Sequence, residues 1–200
     1  MINPDVEPEG TREILDKLLT EAFFRPERLP GLQSLFEKVA DTCSEKIAAF
    51  SRVEFQCTLT GVNTASAGRV FKVHEGQGVW VAVNAVEWDT RLLFAVDRNM
   101  ISIILELFLG TDGAEPMFVP ELPLSSVSSG ILRIFAEYVS TALMDGFAKL
   151  SSTTMSVEEI SAKIQPDSLG NPETPVVIAN YGLSAMESEG TLSIIIPKSA

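Results

Sequence analysis

The sequence has very few of the residues around which catalytic and metal sites are built. It contains one histidine and two cysteines in 200 residues. His74 stands in a glycine-flanked segment, His74-Glu75-Gly76-Gln77-Gly78, with no cysteine, aspartate or second histidine at metal-ligand spacing. A histidine-dependent catalytic group would depend wholly on this one side chain. The pattern predicts an exposed polar turn here and no metal site.

Motifs for phosphate binding and for serine nucleophiles are also missing. Gly76 and Gly78 precede a predicted strand instead of opening a helix, so they do not form a dinucleotide loop. The serines at 125, 126, 128 and 129 lack the glycines of a nucleophile elbow and are typical of a helix start. We therefore predict no enzyme activity and no cofactor.

Charge and hydropathy exclude two further classes of partner. The net charge of −12 disfavours nucleic acid and anionic lipid, which both attract basic surfaces. The longest apolar run, Met100–Leu109, is interrupted by Ser102 and Glu106 and is too short to span a membrane. The acidic, proline-containing N-terminus does not have the pattern of a signal peptide.

Cys43 and Cys57 lie in apolar periodic segments, which predicts buried free thiols and a cytoplasmic protein.

Apolar residues at helical spacing predict three main helices. The first follows Pro30, the second begins after Asp97 and stops at Gly110, and the third begins near Ser126. On the third, the predicted apolar stripe is Val127, Ile131, Ile134, Phe135, Tyr138, Ala142 and Leu143. Extended segments are predicted at Val53–Leu59, Val70–Val73, Gly78–Val86 and Thr90–Val96. Residues 1–28 are predicted to be a tail with a possible short amphipathic helix.

The pattern of elements repeats along the chain. Leu32, Leu35 and Phe36 match Ile131, Ile134 and Phe135 at an offset of 99 residues. Leu92, Phe94 and Val96 match Leu192, Ile194 and Ile196 at an offset of 100, and Val81–Asn84 matches Val177–Asn180 at an offset of 96. The repeat predicts an α/β fold with pseudo-twofold symmetry, one shared central sheet and long amphipathic helices flanking it. The predicted module covers 29–200, with half one at about 29–113 and half two at about 124–200.

One segment indicates a docking surface. Gly110-Thr111-Asp112-Gly113 follows the apolar helix end Phe108-Leu109. Glycine-rich backbone beside exposed apolar side chains would suit contact with another protein. A helix C-cap followed by a tight turn explains the same pattern without any partner.

Several ordered motifs resemble the middle domain of the FliM family of flagellar motor-switch proteins, which is CheC-like in fold. They are Leu29-Pro30-Gly31-Leu32, the run from Leu92 to Asn99, the run from Phe108 to Gly113, Pro123-Leu124-Ser125-Ser126, and the run from Gly190 to Pro197. The resemblance covers roughly residues 29–200. In the family the loop after the apolar helix reads Gly-Gly-x-Gly, and Thr111 replaces its second glycine here.

The resemblance implies partners and a location. The loop and helix end at Phe108–Gly113 would bind FliG. Neighbouring FliM subunits of the cytoplasmic ring would meet on the outer surfaces of the two duplicated helices, at Glu37, Asp41, Arg133 and Glu137. The run Glu13–Leu19 resembles the family's CheY-phosphate-binding peptide but contains an extra residue. The family's C-terminal FliN-like domain is not in this sequence.

Two other functions are compatible with the same fold. CheC and FliY are similar in fold and dephosphorylate CheY with a Glu and an Asn one helical turn apart. Here Glu37 is followed three residues later by Ala40, and Glu137 by Ser140, so the Asn is missing in both helices. The other alternative is an adaptor of this fold outside the motor.

Overall fold

A six-stranded antiparallel sheet forms the centre of the structure, which is a computed structural model. The structure describes residues 13–14, 17, 30–49, 51, 53–110, 121–185 and 187–198. From residue 30 onwards the described helices are α1 (Pro30–Ala48), α2 (Ala67–His74), α3 (Arg98–Leu109) and α4 (Ser126–Phe147), with a 3-10 turn at Pro166–Leu169. The strands are β1 (Phe55–Ser66), β2 (Gly78–Ala85), β3 (Thr90–Asp97), β4 (Met155–Ser161), β5 (Pro175–Ala185) and β6 (Ser188–Pro197).

The two faces of the sheet are covered differently. The long helices α1, α3 and α4 share one large apolar core with the strands. On the opposite face the short helix α2 and the 3-10 turn cover a smaller cluster around Trp80, Leu93 and Ile195. Alternate residues of each strand point to alternate faces, so β2 and β3 supply side chains to both clusters and are buried almost throughout.

The strand order confirms the predicted duplication. The order is β1-β5-β6-β3-β2-β4, and exchanging the two halves of the chain reproduces it in reverse. Phe94 pairs directly with Ile194 where β3 meets β6. These two residues were matched at an offset of 100, so the pseudo-twofold axis passes between them.

Two predicted offsets are wrong. The buried Leu32, Phe36 and Ile47 of α1 match the buried Leu132, Ala136 and Phe147 of α4 at an offset of 100, not 99. Val81 pairs with Phe94, and Ile194, the counterpart of Phe94, pairs with Ala179. The structural offset between β2 and β5 is therefore 98 residues, not 96. A shift of two residues leaves every side chain on the same face of a strand, which is why the apolar pattern did not reveal the error.

A repeated irregularity in the edge strands supports the corrected offset. The register of β1 shifts between Leu59 and Gly61, so Thr60 bulges. The register between β2 and β4 shifts at Ala82 and Val83, so Glu158 bulges on β4. Thr60 and Glu158 also differ by 98. Bulges are specific features of a strand, so their shared position strengthens the case for duplication.

The extended segment predicted at Val70–Val73 is wrong, because these residues lie in helix α2. Ala67 and Val70 are the buried residues of this helix, at a spacing of three. Arg69 and Lys72 face solvent. Three apolar residues within four positions show no alternation, so the run gave no true strand signal.

The predicted starts of α3 and α4 are confirmed. The Asp97 side chain accepts a hydrogen bond from Met100 N at 2.7 Å and caps α3. Ser125 accepts from Ser128 N at 3.1 Å and caps α4. Such caps satisfy backbone donors that have no partner within the first turn.

Candidate functional site

The C-terminal end of α3 presents an apolar side chain to solvent. Gly110 ends the helix in the left-handed conformation, with φ 75° and ψ 32°, and its N–H donates to Glu106 O at 3.0 Å. The side chain of Leu109, just before it, is 65% exposed. This geometry confirms the C-cap reading of Gly110. Thr111, Asp112 and Gly113 lie outside the described residues.

Helix α4 extends this apolar surface. The rings of Phe108 and Tyr138 are stacked, with centroids 6.3 Å apart and an angle of 25° between their planes. Ile134 lies one turn before Tyr138 on α4 and is 42% exposed. Residues four apart on a helix are surface neighbours. The α3–α4 surface is the name used below for Phe108 and Leu109 at the end of α3 together with Ile134 and Tyr138 on α4.

The apolar stripe predicted for α4 is partly wrong. Val127 is 66% exposed and Ile134 is also exposed. The residues that α4 buries are Leu132, Phe135, Ala136, Val139, Ser140, Ala142, Leu143, Gly146 and Phe147. The prediction merged two apolar faces into one stripe, because apolar residues occur on both sides of this helix. The exposed apolar face of α4 was therefore missed in the sequence.

The predicted subunit-interface residues fall into two groups. Glu37, Asp41 and Glu137 are exposed on α1 and α4, and Glu37 Oε1 accepts from Gln33 Nε2 at 3.0 Å. Arg133 is only half-exposed. Its guanidinium donates to Val157 O at 2.6 Å and to Glu158 O at 3.2 Å, so it is bound to the backbone of β4.

The residues three positions after Glu37 and Glu137 are closed to solvent. Ala40 and Ser140 are both buried, and Ser140 Oγ donates to Ala136 O at 2.8 Å. Glu37 and Glu137 point to solvent while the residues three positions later point inward. At these matched positions no Glu–Asn pair could face a second protein together.

His74 is not in the exposed turn that the sequence predicted. It is the last residue of α2 and is half-buried, with its ring edge-on to Trp80 at a centroid distance of 5.7 Å. Burial lowers the pKa of His74, and the nearby Asp97 carboxylate opposes the shift. The imidazole therefore acts as a packing group.

The two thiols are buried as predicted. Burial raises the pKa of Cys43 to about 12, against a smaller opposing effect of Lys46. Burial also raises the pKa of Cys57. A thiol that stays protonated is a poor nucleophile and a poor metal ligand. Within the described residues no three His, Cys, Asp or Glu side chains come together as a metal site.

None of the described helices is both long and apolar enough to cross a membrane. At the N-terminus Glu13, Ile14 and Lys17 are helical and exposed. The rest of the run Glu13–Leu19 lies outside the described residues.

No protein-family model matches the chain. Over 189 residues it is 19% identical to the flagellar motor switch protein FliM of Caulobacter vibrioides, a match that covers 94% of this chain and 50% of that protein. The chain thus spans about half the length of this curated relative.

Solved structures share the architecture. The FliM middle domain from H. pylori has a TM-score of 0.74 at 12% identity, covering 86% of this chain and 92% of that one. A FliG–FliM complex from H. pylori gives 0.78 at 12%, covering 86% and 93%. FliY from Thermotoga maritima gives 0.72 at 13%, covering 86% and 90%. The chain therefore has the fold of the FliM middle domain, and the resemblance that its motifs predicted is confirmed.

Proposed function

We propose that this chain is a non-catalytic interaction module of a flagellar motor switch that binds FliG through the α3–α4 surface. The exposed Leu109, next in sequence to Phe108, whose ring stacks on Tyr138, is the observation that carries the proposal. A similar fold is found in a FliG–FliM complex. On this proposal the module works in the cytoplasmic ring of the flagellum, at the inner-membrane face of the basal body, and takes part in torque generation, switching and chemotaxis.

The physical argument rests on the chemistry of the surface. Apolar side chains that are exposed next to one another, and held by a rigid helix end, mark protein-binding sites more often than single exposed residues do. The Phe108–Tyr138 stack fixes the aromatic pair before binding, so little side-chain entropy is lost on association. The loop at Thr111–Gly113 would extend this surface.

Calorimetry with the cognate FliG tests the proposal. Leu109→Asp and Ile134→Asp each place a charge in the α3–α4 surface and should weaken binding by about 10- to 100-fold. Val73→Asp is the matched control, because Val73 is 53% exposed on α2, which covers the other face of the sheet. Absence of binding by the wild-type chain would overturn the switch assignment. Equal losses in all three variants would overturn only the position of the site.

The contribution of the loop is tested separately by Gly113→Trp. We expect this variant to weaken FliG binding sharply, because the bulky indole ring would keep a partner from approaching the backbone. If Gly113→Trp binds normally while Leu109→Asp does not, the helix end is the site and the loop is not part of it.

The fold shared with FliY raises CheY-phosphate dephosphorylation as a second candidate function. The buried Ala40 and Ser140 stand at the matched positions, so we infer that the chain has no such activity. The chain should leave the decay of phosphorylated CheY unchanged. A clear acceleration of that decay would contradict this.

Self-association in a ring is also proposed for this module. Glu37, Asp41 and Glu137 give the outer helix surfaces an acidic character, while Arg133 is held by β4. A neighbour that docks there would have to offer basic side chains. Charge reversal at Glu37 and Glu137 should change the salt dependence of ring assembly, and an unchanged salt dependence would exclude these residues from the interface.

A further inference from the structure

The two edge strands of the sheet, β1 and β4, are protected unequally. Each edge strand pairs with one neighbour only, β1 with β5 and β4 with β2. Every second residue of such a strand turns its N–H and C=O outward, where another strand can bind them. Natural sheets normally cover these groups or place charged residues beside them.

One cap is repeated on both edges by the pseudo-twofold symmetry. Ser44 on α1 accepts from Cys57 N at 3.0 Å, and its hydroxyl, which donates to Ala40 O at 3.0 Å, also lies 3.4 Å from Cys57 O. Met144 on α4 accepts from Met155 N at 3.3 Å through its sulfur. Cys57 and Met155 are related by the offset of 98, and Ser44 and Met144 by 100. Near its start, each edge strand is therefore covered by the long helix beside it.

In the described part of the chain, further protection is found on β4. Arg133 binds the carbonyl oxygens of Val157 and Glu158 at the bulge. Glu158 also forms an ion pair with Arg91 at 2.6 Å, and Glu159 adds a second negative charge to the edge. An incoming strand would have to displace Arg133 and approach the carboxylates of Glu158 and Glu159.

Among the residues that the structure describes, none of these devices protects β1 beyond Cys57. Its bulge carries the uncharged Thr60, and no charged residue occurs from Phe55 to Gly68. Gln33 stands at the same level of α1 as Arg133 does on α4, but it donates to Glu37. Leu59–Ser66 is consequently an open and neutral edge.

The hydrogen-bond ladder shows which groups of this edge are available. Cys57 turns outward to Ser44, and Ala67 N turns inward to Thr174 O at 2.9 Å. With the bulge at Thr60, alternation between these points turns Val62 and Thr64 outward. In the described part of the chain, no hydrogen bond reaches the outward N–H or C=O of Val62 or Thr64.

We propose that the open edge of β1 is a self-association surface, where a second copy of this chain adds its own β1 in antiparallel orientation. With Thr64 opposite Thr64, the outward N–H and C=O of each Thr64 meet those of the other copy, and Val62 faces Ser66, the N-cap of α2. Such a pairing is symmetric, so one surface serves both partners. The two sheets then become one continuous sheet.

Charge is the reason for choosing a second copy as the occupant. Two copies each carry a net charge of −12 and repel one another over most of their surface. Neutral surface is where they can meet without direct repulsion, and β1 is neutral along its whole length. A strongly basic or acidic partner would find no complementary charge on this strand. Because a strand pair is a small interface, the association should be weak and concentration-dependent.

Sedimentation of the full chain over a wide concentration range tests the proposal, together with amide exchange measured by NMR. The wild type should dimerise reversibly, and the Val62 and Thr64 amides should become protected as concentration rises. Asn63→Glu puts like charges close together across the strand pair and should weaken dimerisation about tenfold. Gln56→Glu is the matched control, because Gln56 is exposed on the same strand but in the part closed by Ser44.

Thr64→Pro supplies an independent variant. It removes an outward N–H and leaves the ladder to β5 in place, so dimerisation should be lost while the thermal unfolding transition is kept. A chain that stays monomeric at every concentration overturns the proposal. A dimer that persists in both Asn63→Glu and Thr64→Pro would show that the copies associate through another surface. If the Val62 and Thr64 amides become protected only when an unrelated extended peptide is added, the edge binds a different occupant. FliG binding should be unchanged in these variants, which separates this surface from the α3–α4 surface.

Discussion

Asp97 shows how one side chain joins distant parts of the chain. Its Oδ1 caps α3 through Met100 N, and its Oδ2 accepts from the N–H of Thr191 at 2.9 Å and from the Thr191 hydroxyl. The residue thus fixes the start of α3 against β6. The α3–α4 surface depends on that position, because α3 carries Phe108 and Leu109 at its other end.

Replacing Asp97 should destabilise the fold measurably. Asp97→Ala removes a helix cap and the acceptor for Thr191, so we expect the free energy of unfolding to fall by about 2 kcal/mol. Urea denaturation monitored by circular dichroism measures this. Asp41→Ala is the control, since Asp41 is exposed on α1 and caps no helix, and it should change stability by less than about 0.5 kcal/mol. Equal effects of both changes would contradict the capping role.

His74 should make the stability depend on pH near neutrality. Burial lowers the pKa of His74 in the folded state below its ordinary value of 6.5. The unfolded chain therefore takes up a proton at a higher pH than the folded chain does. This contribution to the free energy of unfolding is fully present above about pH 6.5. It is lost as the pH falls from that value through the lower pKa of the folded state.

Urea denaturation at about pH 7.5 and about pH 5.5 isolates this effect, because His74 is the only histidine. The wild type should lose stability between the two values, and His74→Phe should lose less. If both proteins show the same change, the histidine is as well solvated in the folded state as in the unfolded chain.

At the scale of elements, α4 contains two glycines in contrasting surroundings. A Cβ on Gly130 would meet nothing within 4 Å. A Cβ on Gly146 would lie 3.2 Å from Val39 Cγ2 and 3.6 Å from Leu35 O. Gly146 therefore allows α1 and α4 to approach closely, whereas Gly130 only weakens the helix.

Substitution should separate these two roles. Gly130→Ala should raise the free energy of unfolding by about 1 kcal/mol, because alanine is the better helix former. Gly146→Ala should gain less, and Gly146→Leu should lower stability by about 1–3 kcal/mol through overpacking. Thermal denaturation of the three variants checks this. A stabilised Gly146→Leu variant would show that the two helices can separate at little cost.

Elements whose apolar residues follow a single face could be predicted from sequence. The start of α3 after Asp97 and its end at Gly110 were correct because periodicity and capping agree there. Val127 and Ile134 on α4 were assigned to the buried stripe, although they are exposed, because apolar residues occur on both sides of this helix. The hydrogen bond from Arg133 to β4 was not predicted, because local sequence does not place that strand beside α4.

At the scale of the whole molecule, the two halves are interleaved. β1 belongs to the first half but pairs with β5 of the second, and β4 belongs to the second half but pairs with β2 of the first. Each half alone would leave one strand without its neighbour and expose the core beneath α1 or α4. The duplicated halves are therefore repeats in sequence without being separate folding units.

Splitting the chain within residues 111–120 tests this. Neither fragment should show a cooperative thermal transition alone, and mixing them should restore the transition and the near-ultraviolet circular dichroism signal. Cooperative unfolding of either isolated fragment would contradict the interleaved description.

The central position of β6 also sets the order of events during synthesis. β6 lies between β5 and β3 in the middle of the sheet, yet it is the last of these six strands to leave the ribosome. Until Ser188–Pro197 emerges, β3 has one bare edge and the aliphatic side chains of the core lack their central layer. The strands made earlier therefore keep unpaired edges, to which chaperones can bind, until this ten-residue segment completes the sheet.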